Sequence, residues 1–106
     1  MQLSVTFKNI DPSGDLKSYV SDKLDKLDKF LDNPAEATVV FYVEKFRHIA
    51  EINVYGDRLN INSKEETNDM YSTIDMAVDK LERQIKKNKQ KSKNYKAKAI
   101  AKTTDY

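Results

Sequence analysis

The chain has 106 residues, of which 39% are hydrophobic and 34% charged, which is enough for one thin core but not for two. It contains no cysteine, which excludes disulfide bonds and thiolate metal sites. Met1–Val5 lacks the start of a signal peptide, and no apolar stretch approaches the roughly 20 residues that span a bilayer, so we expect a soluble, cytoplasmic protein without a membrane partner.

The net charge of +2 hides an uneven distribution along the chain. Residues 1–79 carry nine basic and fifteen acidic side chains, a net of −6. Residues 80–106 carry ten basic and two acidic side chains, a net of +8. A basic end on an acidic body predicts a polyanionic partner that meets the basic end first.

The first part of the chain predicts one strand and one helix. Residues 3–7 alternate apolar and polar side chains, a period of two that is typical of a half-buried strand. The segment Asp11–Gly14 breaks this pattern, and either Ser13 or Asp11 caps the helix that follows. That helix is expected over about residues 14–31, because apolar residues recur there mostly at steps of three and four. They are Leu16, Tyr19, Val20, Leu24, Leu27, Phe30 and Leu31.

Three strands are predicted next, because β-branched and aromatic residues become frequent and alternate with polar ones. Residues 45–48 form the turn after the first of them, and Gly56-Asp57 signals a hairpin after the second. Residues 64–68 are polar and predict a loop over the edge of the sheet. The strands are expected over about residues 38–45, 49–55 and 58–63.

The last helix has a cap, an apolar stripe and a basic extension in its sequence. Asn68 is the expected cap and Asp69 lies in the first turn. The helical pattern reaches about Lys91, roughly 35 Å at ~1.5 Å per residue, but its apolar stripe stops after Ile85. We therefore expect an α+β domain over residues 1–91 and a basic flexible tail over residues 92–106. The stripe consists of Met70, Ile74, Ala77, Val78, Leu81 and Ile85.

The element order is β-α-β-β-β-α, and it favours an α+β fold. A run of adjacent strands with two amphipathic helices predicts a four-stranded sheet with both helices packed on one face. Double-stranded-RNA-binding domains have the shorter order α-β-β-β-α, so this chain resembles one with an added N-terminal strand. That likeness concerns topology and says little about function.

Cations on the last helix form the main candidate site. Lys80, Arg83, Lys87 and Lys91 follow one another at steps of three, four and four, so they share one face, with Lys86 to one side. Such a row can contact successive phosphates, and Arg83 suits a bidentate contact. The lysine run taken alone is equally typical of a helix end that complements the helix dipole.

Three further candidates lie in the predicted turn after the second strand. Lys45, Arg47 and His48 would add contacts to the same partner there. His48 is the only histidine, and a lone histidine in a turn is more often a surface residue than a ligand or a base.

Several segments of the sequence resemble one known family. The specific part is Asn68–Asp75, followed by Asp79–Ile85 and the lysine-rich Lys86–Lys91. On these residues the chain looks like the ribosome hibernation-promoting factor family, which includes the ribosome-associated inhibitor and was once labelled sigma-54 modulation protein. The likeness covers about residues 1–91. Weaker likenesses lie at Met1–Leu3, at Lys23–Leu27 and at Val43–Lys45 with His48 shortly after.

The resemblance implies a function as well as the fold. Members of that family attach to 16S rRNA between head and body of the small (30S) ribosomal subunit, occlude the tRNA and mRNA sites and repress translation. It also implies that Lys23 and Lys26 of the first helix join the rRNA-binding site, with Lys29 as a weaker candidate. The 106 residues leave no room for the C-terminal domain with which long members pair ribosomes, so the effect on ribosome dimers stays open.

An enzyme is the least favoured class. Acid–base catalysis needs paired titrating groups in a pocket, and the chain offers one histidine and scattered carboxylates. It has two glycines and no cluster with metal-ligand spacing, so we expect no cofactor and no metal. We also expect no DNA partner and a monomer off the ribosome. Two alternatives remain: a general structured-RNA-binding module and a protein-interaction domain that uses the open sheet face.

Overall fold

A four-stranded sheet with two helices on one face makes up the fold. The computed structural model describes the backbone of residues 1–101 and the side chains of residues 1–88. Its element order and α+β architecture confirm the fold expected from the sequence. The elements are β1 (Gln2–Lys8), α1 (Gly14–Asp25) continued by a 3-10 helix (Lys26–Phe30), β2 (Ala35–Glu44), β3 (Arg47–Gly56), β4 (Leu59–Thr67) and α2 (Met70–Ala101).

The strands follow one another across the sheet in the order β1-β2-β3-β4. β1 pairs in parallel with β2, which requires a crossover connection, and α1 with its 3-10 helix supplies it. The other two pairs are antiparallel and are joined by two-residue turns. β1 and β4 are therefore the edges of the sheet, and α2 packs over β3 and β4.

Alternate side chains of each strand point toward the helices and form the core. Val39 lies opposite Ile52 and Phe41 opposite Ala50, and all four are completely buried. The ring of Phe7 on β1 joins them, with its centroid 5.3 Å from that of Phe41. The intervening side chains form an open face that is mostly polar and charged but also includes Val40, Tyr42 and Ile49. It carries Lys8, Glu36, Thr38, Glu51, Asn53, Asn62 and Lys64.

The predicted apolar stripe of α2 is buried along its whole length, from Met70 to Ile85. Ile74, Leu81 and Ile85 have no exposed surface at all. Ile85 is the last buried side chain among those described for α2, and residues 86–88 are exposed. The helix therefore runs on beyond the core, as the end of the stripe in the sequence indicated.

The turn between β3 and β4 confirms the hairpin signal at Gly56-Asp57. Its two loop residues, Asp57 and Arg58, have φ of +50° and +66°, the left-handed conformation of a hairpin turn that matches the twist of the strands. Gly56 has φ of +119°, and a Cβ there would lie 2.9 Å from the Cα of Ala35. Glycine is thus required at this position by both conformation and space.

Two predicted loops are too long, because part of each belongs to a strand. Arg47 and His48 open β3, so the turn after β2 contains only Lys45 and Phe46. Residues 64–67 complete β4, where Lys64 points to the open face and Glu65 toward α2. A polar run is compatible with an edge strand because neither of these positions needs an apolar partner.

The predicted ends of the helices also need correction. α1 ends at Asp25 and the chain tightens into the 3-10 helix, which stops at Phe30 instead of residue 31. Asp69, not Asn68, caps α2, because its Oδ2 accepts the backbone N–H of Ser72 at 2.9 Å. α2 extends to Ala101, ten residues past the predicted end. The flexible tail over residues 92–106 stays a prediction, since no side chain beyond residue 88 and no backbone beyond residue 101 is among the described ones.

Candidate nucleic-acid interface

The predicted cation row of α2 divides into paired and unpaired members. The ammonium of Lys80 forms an ion pair with the half-buried carboxylate of Glu65 on β4. Arg83 and Lys87 are exposed, and neither makes an ion pair or hydrogen bond to any residue in the described part of the chain. Lys91 lies on α2, but its side chain is outside the described residues. Arg83 and Lys87 are thus the row members best able to meet an external anion.

A polar cluster around Asp75, near the N-terminus of α2, ties this helix to α1. The hydroxyl of Tyr19 donates to Oδ1 of Asp75 at 2.7 Å, and the ammonium of Lys23 lies 3.2 Å from the same oxygen. Lys23 also lies 5.4 Å from the centroid of the Tyr19 ring. Lys23 is therefore held by the fold, whereas Lys26, one turn later, is exposed and unpaired among the described residues.

Burial and hydrogen bonding shift the pKa of Asp75 in opposite directions. Desolvation raises the pKa of its carboxyl, but the hydrogen bonds from Tyr19 and Lys23 outweigh it and hold the pKa below its usual value. The same carboxylate raises the pKa of Lys23, mainly through their hydrogen bond. All three groups therefore keep their ordinary charge states at neutral pH.

A second contact between the helices lies around Phe30, at the end of the 3-10 helix. The ammonium groups of Lys29 and Lys86 lie 5.2 and 5.0 Å from the centroid of its ring, a distance at which the ring attracts both cations. Lys86 also pairs with Glu82 at 2.8 Å and lowers the pKa of that carboxyl, chiefly by hydrogen bonding. Phe30 therefore brings Lys29, the weaker candidate on the first predicted helix, beside α2.

The carboxylates next to Lys26 and Lys29 in sequence bind another group instead of these lysines. Asp25 and Asp28 lie next to these lysines in sequence, but both bind the α-amino group of Met1, at 3.2 and 2.7 Å. Lys29 and Lys86 meet at the ring of Phe30, and the other cations nearby lie within about one helical turn of one of these two residues. We call this group the cationic end. It consists of Lys26, Lys29, Arg83, Lys86 and Lys87.

The remaining three candidates lie at the turn between β2 and β3. Lys45 is exposed and unpaired among the described residues. Arg47 is fully engaged, because its Nε and Nη2 each donate to Glu66 at 2.9 Å and its Nη1 donates to Glu44 at 2.7 Å. These hydrogen bonds raise the pKa of Arg47 and lower that of Glu66. Arg47 thus connects β2, β3 and β4.

His48 lies inside β3 and is half-buried. Its Nδ1 is buried and has no hydrogen-bond partner within the described structure. Its backbone oxygen accepts the hydroxyl of Thr73, in the first turn of α2, at 2.9 Å. This bond places the β2–β3 turn beside the N-terminus of α2.

The ten predicted residues consequently do not form one patch. Thr73 and Lys87 are fourteen residues apart on α2, which separates the β2–β3 turn from the cationic end by roughly 21 Å at ~1.5 Å per residue. Lys29 and Lys86 come together at Phe30, Arg83 and Lys87 lie within one turn of Lys86 on α2, and Lys26 lies one turn before Lys29. Lys45, Arg47 and His48 lie at the other end of the molecule, and Lys23 and Lys80 lie between, each in an ion pair.

The described residues offer neither a membrane-spanning helix nor a metal-binding cluster. No helix there is both long and apolar enough to cross a membrane. No three His, Cys, Asp or Glu side chains come together there in a way that could hold a metal ion.

Comparison with known proteins identifies the family. Residues 3–93 match the family described as Sigma 54 modulation protein / S30EA ribosomal protein. The chain belongs to this family. It is 36% identical over 95 residues to the ribosome hibernation promoting factor of Klebsiella oxytoca, an alignment that covers 90% of this chain and all of that protein. The resemblance inferred from the α2 signature is therefore confirmed.

Solved structures of the family share the fold. The N-terminal domain of Protein Y from Thermus thermophilus superposes with a TM-score of 0.77 at 33% identity, covering 82% of this chain and 98% of that one. A ribosomal subunit interface protein from Coxiella burnetii gives 0.73 at 28% identity, covering 85% and 99%. Family membership supports a ribosome-associated role in the inhibition of translation, a class of function without a catalytic step.

Proposed function

We propose that this chain is a ribosome hibernation factor that binds 16S rRNA of the small ribosomal subunit in the cytoplasm, occludes the tRNA and mRNA sites and represses translation. The observation that carries the proposal is the cationic end. There Arg83 and Lys87 are exposed and unpaired within the described structure, on a helix that continues past Ile85, the last of its described side chains to be buried. The family and the names of its members supply the partner.

The geometry of the cationic end suits an RNA backbone. Arg83 and Lys87 are four residues apart, so their side chains leave α2 ~5–6 Å from each other, a spacing at which both can meet phosphates of one strand. Each lysine or arginine that neutralises a phosphate releases a counterion, and this release makes binding weaken with salt. Contacts of this kind give affinity and orientation, so recognition rests on the shape of the rRNA.

Ion pairs within the fold indicate which of the other cations should bind phosphate more weakly. Lys23, Lys80 and Arg47 each face a carboxylate in the fold, and a phosphate has to compete with that carboxylate for the cation. Exposed pairs of this kind are worth ~0–1 kcal/mol, so the competition weakens a phosphate contact without preventing it. We therefore expect the unpaired cations to contribute more to binding than the paired ones.

Co-sedimentation with purified small subunits across a salt series tests the proposal. The variant Arg83→Ala/Lys87→Ala removes two unpaired cations of the cationic end. The matched control Lys17→Ala/Lys64→Ala removes two exposed lysines from the start of α1 and from the open face. The slope of log affinity against log salt should fall by about two in the first variant and stay unchanged in the control. Equal losses in both would mean that only total charge matters.

Occlusion and subunit preference need separate measurements. Subunits loaded with mRNA and tRNA should pellet less of the protein than empty subunits, because both ligands would use the same space. An excess of unrelated duplex RNA should leave most of the protein on small subunits. If duplex RNA displaced it fully, the chain would be a general RNA-binding module, and if empty subunits pelleted none of it at low salt, the ribosome would not be its partner.

A further inference from the structure

Phe46 is the most exposed large apolar side chain among the described residues. Its side chain is 85% exposed, whereas Tyr55, Tyr71 and Met76 reach 41, 40 and 46%. It lies in the two-residue turn between β2 and β3, where glycine, asparagine and aspartate are the usual residues. Phe46 packs on nothing that would account for an aromatic ring at this position, so the fold does not require it.

The turn that carries Phe46 is fixed at its base from both sides. Arg47 follows Phe46 directly and donates to Glu44 across the turn and to Glu66 on β4. On the other side, the amide of Asn9 donates to the backbone oxygen of Val43 at 2.6 Å. A ring presented on a fixed turn loses little conformational freedom when it binds a partner.

The charges around the ring favour a nucleic acid. Glu44 and Glu66 are the carboxylates beside the turn, and both are bound by Arg47. Lys45 is next to Phe46, exposed and unpaired among the described residues. The turn thus offers one ring face and one free cation, the two features with which proteins bind single-stranded RNA.

We propose that Phe46 stacks on an unpaired base of rRNA while Lys45 contacts a neighbouring phosphate. This inference rests on the proposed function and adds a second attachment point, at the opposite end of α2 from the cationic end. A base is favoured over a protein pocket because Phe46 is the only exposed large apolar side chain in the described β2–β3 turn. Tyr71 lies beside this turn, in the first turn of α2, but its ring packs on that of Tyr19 with the centroids 4.9 Å apart. The central residues of protein interfaces, in contrast, are surrounded by further packed contacts.

Replacing the ring of Phe46 by side chains of different shape distinguishes an rRNA base from a protein pocket as its partner. Binding to small subunits is compared for the wild type, Phe46→Trp, Phe46→Leu and Phe46→Ala, with Tyr55→Ala as the control for loss of an exposed aromatic ring elsewhere. Stacking requires a flat ring, so the tryptophan variant should bind at least as well as the wild type. The leucine and alanine variants should both bind about tenfold more weakly, and the control should bind normally.

Ultraviolet cross-linking of the wild-type complex then identifies the partner directly, by mass spectrometry of the peptide that contains residue 46. A cross-link from this peptide to an rRNA nucleotide supports the inference. Near-normal binding by Phe46→Leu, or a cross-link to a ribosomal protein, would overturn it in favour of an apolar protein pocket. Near-normal binding by Phe46→Ala would overturn it while leaving the proposed function in place, and failure of the wild type to bind subunits would remove both.

Discussion

Lysines have different surroundings in the two parts of α2, before and after Ile85. Up to Ile85 the helix buries one face against the sheet, and the lysines along it are paired. Lys80 of α2 pairs with Glu65, and Lys23 of α1 pairs with Asp75 of α2. From Lys86 onward the described side chains are exposed and only Lys86 is paired. The difference shows that a lysine is available to a partner where the surrounding fold supplies no carboxylate for it.

This comparison separates stability from binding. The buried and ion-paired side chains before Ile85 contribute to the core and to contacts between elements, so their removal should change the free energy of unfolding. Arg83 also lies before Ile85, but it is exposed and unpaired among the described residues, so it belongs with Lys87. Lys87, beyond Ile85, touches nothing that the fold needs, so its removal should change binding alone. The predictions that follow test this separation.

The largest effect is expected from the buried half of α2. Leu81 has no exposed surface, so Leu81→Ala should lower the free energy of unfolding by about 2–5 kcal/mol through lost burial and the cavity left behind. Met76→Ala, at a 46% exposed position of the same helix, should change it by less than about 1 kcal/mol. Urea denaturation measures both. Similar losses in the two variants would mean that α2 is not packed as described.

The cap of α2 gives the next effect. Asp69→Ala removes the bond to the backbone N–H of Ser72 and should cost about 1 kcal/mol of stability. Asn68→Ala, the neighbouring substitution, should have a much smaller effect because the structure gives Asn68 no capping bond. Urea denaturation measures the stability of both variants. If Asn68→Ala lost more stability than Asp69→Ala, Asn68 would be the cap, as the sequence suggested.

Much of the fold could be predicted because its signals are local. The apolar spacing from Met70 to Ile85 identified every buried position of that stripe, and Gly56-Asp57 identified the hairpin. The ends of elements were less predictable, because tertiary contacts decide them. β4 ends at Thr67, whose hydroxyl is hydrogen-bonded to that of Thr73 on α2. The sequence predicts a loop at the first of these residues and a helix at the second, so it does not reveal their contact.

The candidate site could be predicted only in part, for a similar reason. Helical spacing correctly places Arg83 and Lys87 four residues apart on α2, but it cannot show that Lys80 meets Glu65, which depends on how α2 lies over β4. Nor can it show that the β2–β3 turn lies at the far end of α2. Phe46 is not among the predicted site residues, although an aromatic side chain within the charged predicted turn 45–48 is a readable signal.

Lys80 and Lys87 provide the direct comparison of a paired and an unpaired cation on one helix. Lys87→Ala should lower the salt slope of small-subunit binding by about one and leave stability unchanged. Lys80→Ala should lower the slope by less, because Glu65 competes with phosphate for its ammonium, and should reduce stability by under about 1 kcal/mol. Co-sedimentation across a salt series and urea denaturation measure the two effects. A larger slope change for Lys80→Ala would show that ion pairing does not rank these cations.

The smallest effect is expected from pH, at the contact that joins the two helices. The pKa of Asp75 is lower in the folded chain than in the unfolded one, so the unfolded chain binds more protons in the acid range. Its stabilising contribution is therefore complete above about pH 4 and is lost as the pH falls through the folded-state value. Asp75→Asn should be less stable than the wild type at pH 7, and this gap should narrow in urea denaturation at pH 3. Asp79→Asn removes the same charge without touching Tyr19 or Lys23, so a gap that narrows equally there would assign the effect to net charge instead of to the Asp75 contacts.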